Sequence, residues 1–391
     1  MKTTTRIVTA FLLTFAIVGL GRSLLSDVST DLQAKGSADA PLVLDVQSGK
    51  VPLKSIGAMS VGPNGWLAVA DSKAQSIVLV ETGDTGPAEV LQQRVDGIDR
   101  LIAARLDVTP DEIVIAALAV HTASGKIYLG VQRKTDNQPV VVVVDPDGSL
   151  RALNLQDARY VTVSLTGSDA SAVRSITGVE FAGDGILAAG HTAEEFASKI
   201  YKILFPILHG EQGRVYSAET YHVAHGRWET KAPIRTFVPY EEDGKQYVVG
   251  AFSCTPIAKF PLDAVESGGK IRGQSVVELG SGNRPLDMFT YRRNGKAWLV
   301  TNTDRFHWEK KGGFGPSRLW GVRVDMEYLN ASQINESAAR RDIKTHEGPQ
   351  GIQIMDALFG AVHVGKVNNE KFVALRENGN QLDLELAELP Q

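Results

Sequence analysis

Short apolar runs recur along this chain, each followed by a tight turn and a second apolar run. Ile56 to Val61 leads through Gly62-Pro-Asn-Gly65 into Trp66 to Ala70, and Ile115 to Val120 leads through Ser124-Gly125 into Ile127 to Val131. Ile176 to Phe181 leads through Gly183-Asp-Gly185 into Ile186-Leu187, and Ile234 to Tyr240 through Asp243-Gly244 into Tyr247 to Val249. Leu286 to Tyr291 leads through Asn294-Gly295 into Trp298 to Val300, and Val362 to Val367 through Asn368-Asn-Glu370 into Phe372 to Leu375. Asn-Gly and Asp-Gly tolerate the positive φ that a two-residue hairpin needs, so each unit predicts a β-hairpin.

The turn positions 65, 125, 185, 244, 295 and 370 are separated by steps of 60, 60, 59, 51 and 75 residues. That is the spacing of four-stranded sheets arranged as blades. Third strands are predicted at Ser76 to Val80, Pro139 to Val144 and Ser317 to Val324. The pattern predicts an all-β chain forming a six-bladed β-propeller. An N-terminal strand around Leu42-Val-Leu-Asp45 leaves a seventh blade open, because it either closes the last blade or begins another. A pair of β-sandwiches is the competing architecture, but it requires no shared period. Asp99 to Leu106 has helical spacing and stops before Thr109-Pro110, which predicts a short helix between the first two blades. Ile200 to Phe205 fits a strand or the end of a helix.

Propeller geometry sends the hairpin turns to one end of the central channel. The segments leading into the inner strands, and the loops after the second strands, go to the other end. Counting back two residues from Ile56, Ile176 and Leu286 places Lys54, Arg174 and Arg284 there, on the first, third and fifth blades. Converging cations suit a carboxylate or phosphate, which arginine can grip with two parallel bonds. Asn302 and Asp304 share this face and complete the candidate ligand set. The loop from Thr301 to Arg318, with aromatic residues between glycines, is a candidate lid.

The same face gathers His191, His222, His225, His307 and Cys254. Imidazole with thiolate suits zinc or copper, and the carboxylates and amides suit calcium, so a divalent metal is the candidate cofactor. On an extended strand the spacing of His222-Val-Ala-His225 would put its two rings on opposite sides. Cys254 follows an apolar strand and reads first as a small buried hydrophobe. A Ser/His/Asp grouping assembled from distant loops stays open. Gly-x-Ser-x-Gly, phosphate-loop, dinucleotide and haem-attachment motifs are absent.

The formal net charge of −4 argues against nucleic acid as a partner, and a single cysteine excludes an internal disulfide. Lys2 and Arg6 precede the apolar run Ile7 to Leu20, the pattern of an export signal or an N-terminal anchor over residues 1–21. Residues 22–40 read as a linker and 41–391 as one propeller domain. The address implied is periplasmic or secreted, with membrane contact only through an uncleaved anchor.

Over residues 50 to 390 the repeats resemble those of the YVTN/NHL-type propellers of exported bacterial proteins. That resemblance implies the fold and leaves the activity open, since such propellers host enzymes and binding modules alike. Two functions follow as expectations. One is binding of a small anionic ligand or a partner protein at the channel mouth. The other is a metal-dependent hydrolase or oxidoreductase built on the histidines.

Overall fold

Six inner strands, each hydrogen-bonded to an antiparallel second strand, stand around a central channel. They are Met59–Val61, Ile113–Val120, Val173–Ala182, Ile234–Glu242, Asn283–Arg293 and Ala361–Lys366, and they head blades 1 to 6 in chain order. This is a computed structural model, and it describes residues 41–167, 171–253, 256–262, 267–279, 282–306, 316–330 and 351–391. The predicted turns form where positive φ is needed: Asn64, Asp243 and Asn294 lie at φ 57, 51 and 52, each followed by a left-handed glycine.

The blades do not follow one another around the ring in chain order. The inner strand of blade 1 packs between those of blades 2 and 3, and the inner strand of blade 2 packs between those of blades 1 and 6. The ring therefore reads 2-1-3-4-5-6. Its route explains this order. After Ser76–Glu81, the third strand of blade 1, the chain crosses to the far side of blade 6. There Val95 pairs with Leu384, both backbone bonds being formed at 2.8 and 3.0 Å. The predicted helix α1, Ile98–Arg105, follows and packs on the strand Gln381–Glu388 of blade 6. Blade 2 is then built, and Ala158–Ser164 returns to become the fourth strand of blade 1.

Blades 3 and 4 are tied by their outermost strands. Arg214–His222 and Lys270–Glu278 pair in parallel, joining the two blades into one nine-stranded sheet. Ile200 lies in the strand Ser198–Leu204, which resolves that ambiguity. The strand Val43–Leu44 neither closes the last blade nor begins another: it pairs with Ile207–Leu208. No seventh blade forms among the described residues.

The core sits between blades. Val179 and Phe181 of blade 3 pack with Ala68 and Ala70 of blade 1, and Met288 of blade 5 with Val249 of blade 4. Side chains of neighbouring inner strands meet where glycine makes room. A Cβ on Gly178 would lie 2.7 Å from the ring of Phe237, and one on Gly62 would lie 2.4 Å from Phe181.

Candidate functional site

The inner strands share a local irregularity that shapes the channel mouth. In blades 2 to 6 the pairing with the second strand slips between Ile115 and Ala117, Ile176 and Gly178, Ile234 and Thr236, Pro285 and Met288, and Ala361 and His363. Each slip is a β-bulge, and the extra residue is re-aimed out of strict alternation. Ala116, Thr177, Arg235, Asp287 and Val362 fall in these bulges, and all five are half-buried. They lie near the start of each inner strand, so they belong to the end of the channel away from the hairpin turns.

Two cations lie on adjacent blades here. Arg235 occupies the bulge of blade 4, and Arg284 is the second residue of the inner strand of blade 5. The Arg235 Nε is buried and has no hydrogen-bond partner, and Arg235 makes no ion pair among the described residues. Burial, and then the charge of Arg284, push its pKa below the usual guanidinium value. Arg284 is exposed and also lacks an ion pair among the described residues, with its guanidinium 5.5 Å from the centre of the Phe306 ring. Lys54 and Arg174 are exposed at the same end and make no ion pair among the described residues. Because the ring order is 2-1-3-4-5-6, these four cations stand on four consecutive blades. The alternation expected from chain order is therefore replaced by an arc on one side of the mouth.

Two acidic groups of the channel, Asp287 and Glu180, are held by neighbouring blades. Asp287 accepts from the Val364 N–H at 3.0 Å and contacts His363 Nδ1 at 3.1 Å, while His363 Nε2 lies 3.3 Å from the Ile115 carbonyl. Burial alone would lower the His363 pKa, but the Asp287 charge, its bond to the ring and the Ile115 carbonyl raise it above the usual imidazole value. Glu180 of blade 3 accepts from Ser60 Oγ of blade 1 at 2.8 Å. Burial, reinforced by the Asp287 charge against the opposing Ser60 bond, pushes its pKa up to about 8. At neutral pH Glu180 holds its proton.

The remaining sequence candidates divide. Asn302 is fully buried: its side-chain oxygen accepts from the Asp287 N–H at 2.9 Å, and its amide donates to the Ala361 carbonyl at 3.0 Å. It joins blades 5 and 6 and holds Asp287, which leaves no atom for a ligand. Asp304 is paired with Arg318 at 2.7 Å. His191 sits apart with its Nε2 3.1 Å from the Lys231 carbonyl. His307 and Cys254 lie outside the described residues, as does half of the candidate lid.

His222 and His225 do come together, contrary to the extended reading. Val223–His225 forms one 3₁₀ turn, and the two rings end 4.0 Å apart with Glu229 beside them. Their place is the rim between blades 3 and 4, among the fourth strands.

A Ser/His/Asp grouping exists between blades 1 and 2, but its geometry is not nucleophilic. Ser124 Oγ donates to Asp84 at 2.6 Å, and both meet the same nitrogen of His121, Nδ1, at 3.1 and 2.7 Å. An acyl-transfer triad needs serine and carboxylate on opposite ring nitrogens and an exposed hydroxyl. Ser124 is 1% exposed, and Tyr128 and Lys126 also bond Asp84, so this cluster pins two blades.

Arg235 was not singled out from the sequence. Counting back from Ile234 lands on Ala232, and the bulge that turns Arg235 toward the mouth has no residue signature.

No protein-family model matches the chain, and neither does any curated protein. Among solved structures it is similar to the PQQ-bound aldose sugar dehydrogenase of Streptomyces coelicolor, at 14% identity and TM-score 0.33 over 89% of this chain and all of that one. It is similar to hydrazine synthase of Kuenenia stuttgartiensis at 11% identity and TM-score 0.33, over 85% of this chain and 83% of that one. The plexin A4 extracellular region aligns at 10% identity and TM-score 0.39, over 89% of this chain and 40% of that one. Neither a shared family nor a shared activity follows from likeness at this level.

Proposed function

We propose that the protein is an exported binding propeller whose channel mouth takes a small anion, a carboxylate or a phosphate. The observation that carries this reading is the half-buried Arg235, whose buried Nε has no hydrogen-bond partner among the described residues, beside Arg284, which makes no ion pair among them. A guanidinium drawn out of water without a counter-ion costs several kcal/mol, and a like-charged neighbour adds to that. An anion bridging the two offsets both terms and supplies the missing acceptor. Neutral Glu180 does not repel it, and the Asp287 carboxylate is engaged by the Val364 N–H and His363. Lys54 and Arg174, on the next two blades, extend the attraction outward. Export rests on the N-terminal sequence pattern.

Calorimetric titration of the full chain with citrate, inorganic phosphate, sulfate and acetate tests the reading. At least one of these binds the wild type, and the Arg235→Gln/Arg284→Gln variant loses at least about tenfold in affinity, the loss of one charge-assisted bond or more. Equal binding by both proteins, or binding by neither, contradicts it.

A further inference from the structure

The turn at the rim between blades 3 and 4 collects donors of a different kind. The strand Arg214–His222 ends at His222, the 3₁₀ turn Val223–His225 follows, and left-handed Gly226 (φ 62) reverses the chain. Arg227–Glu229 then pairs back onto it, with Glu229 opposite Thr220 and Arg227 opposite His222. Residues 220 and 222 share one face of a strand, so Glu229 lies diagonally across from His222. The turn adds His225 from above.

The distances converge. His225 Nδ1 is 2.6 Å from Glu229 Oε1, His222 Nδ1 is 3.4 Å from Glu229 Oε2, and one donor atom from each residue lies within 4.8 Å of the others. His222 is 2% exposed, yet its Nδ1 has no hydrogen-bond partner. That is a buried lone pair or N–H aimed into a cluster of donors. The opposite nitrogen, Nε2, lies 3.7 Å from Glu278 Oε1, at the end of the fourth strand of blade 4. Glu278 is itself held in place by the Val223 N–H at 2.6 Å.

We propose that His222, His225 and Glu229 bind a divalent transition ion of the zinc type. The Glu278 carboxylate, 3.7 Å from Nε2, favours the tautomer that carries its proton on Nε2 and so leaves Nδ1 free to ligate. A carboxylate behind a ligating imidazole is the usual means of fixing tautomer and ring orientation. Two imidazoles and one carboxylate form a donor set that suits zinc and leaves a fourth position for water or a small ligand. The site opens to solvent on the side of His225, whose side chain is 47% exposed. Tetrahedral ligation requires donor atoms roughly 3.3 Å apart, so the His225–Glu229 contact opens by about 0.7 Å as the ion enters and their shared proton leaves to solvent. This site is independent of the anion reading, since it shares no residue with the channel mouth.

The test uses the full chain after chelator treatment and dialysis, titrated with zinc chloride by calorimetry and with cobalt(II) by absorbance. One zinc per chain binds with a Kd of about 1 µM or tighter, and cobalt gives the intense visible bands of four-coordination. His225→Ala, a change at an exposed side chain, abolishes both signals. Glu278→Gln keeps an acceptor for Val223 and weakens zinc by about ten- to a hundredfold without changing the thermal midpoint of the metal-free protein. Zinc binding weaker than about 100 µM, or binding that His225→Ala leaves unaltered, overturns the proposal.

Discussion

Two protonations in the channel couple the site to stability. The proton of Glu180 is retained to about pH 8 in the folded protein, against 4.5 for a free glutamate side chain. The folded state therefore binds more protons than the unfolded state across that window, and stability falls as pH rises through it. His363, raised above 6.5 by Asp287, acts with the same sign: its contribution is complete below the unfolded value and is lost as pH rises through the folded one. Asp383 acts in the opposite sense. Burial would raise it, but the Gly97 N–H with Asn378, Arg94 and Gln381 pushes it down to about 2, so its contribution is lost only in strong acid. Stability is expected to peak near about pH 5 and decline toward pH 8. In Glu180→Gln the decline becomes shallower. Urea midpoints at pH 5, 6, 7 and 8 check this, and an unchanged slope in the variant rules out Glu180 as the cause.

At the scale of elements, the seams between blades depend on missing side chains. Gly178 faces Phe237 across the seam of blades 3 and 4, where a Cβ would sit 2.7 Å from the ring. Gly178→Ala should destabilise by about 1–3 kcal/mol through overpacking, and adding Phe237→Leu should recover part of that loss. Additive losses in the double variant would show that the two residues do not meet. Hairpins and helix were legible in the sequence because Asn294-Gly295, Asp243-Gly244 and the helical spacing of Asp99 to Leu106 before Thr109-Pro110 carry local signatures. The bulges were not, since they arise from the coiling of each sheet and leave no residue preference. Arg235 was missed for that reason. The pairing of His222 with His225 was misjudged because one 3₁₀ turn replaces the expected extended segment.

Across the whole molecule, the order 2-1-3-4-5-6 decides both closure and the site. Sequence period counts blades but does not say which neighbours which, because the crossing from blade 1 to blade 6 is specified by remote pairings. Val95 with Leu384 and Gly97 with Asp383 are the bonds that define it. Asp383 is fully buried, and its replacement by alanine strands the Gly97 N–H and removes one of the carboxylates that hold Arg94, which keeps Asp96 and Glu385. Asp383→Ala should cost about 2–4 kcal/mol and expose amides of both the 92–97 segment and the strand Gln381–Glu388 to hydrogen exchange together. Exchange confined to one of them would argue against this closure. The same order brings Lys54, Arg174, Arg284 and the bulged Arg235 onto consecutive blades.

Convergence of these cations on one anion is the central claim, and the guanidinium resonances of Arg235 and Arg284 report on it most directly. In a nitrogen-15-labelled full chain titrated with the anion that binds best among citrate, phosphate, sulfate and acetate, both Nε–H signals should move along one saturable curve. In Arg284→Gln the movement of Arg235 should become weak and non-saturating. Signals that stay fixed in the wild type while the anion binds elsewhere would contradict the account.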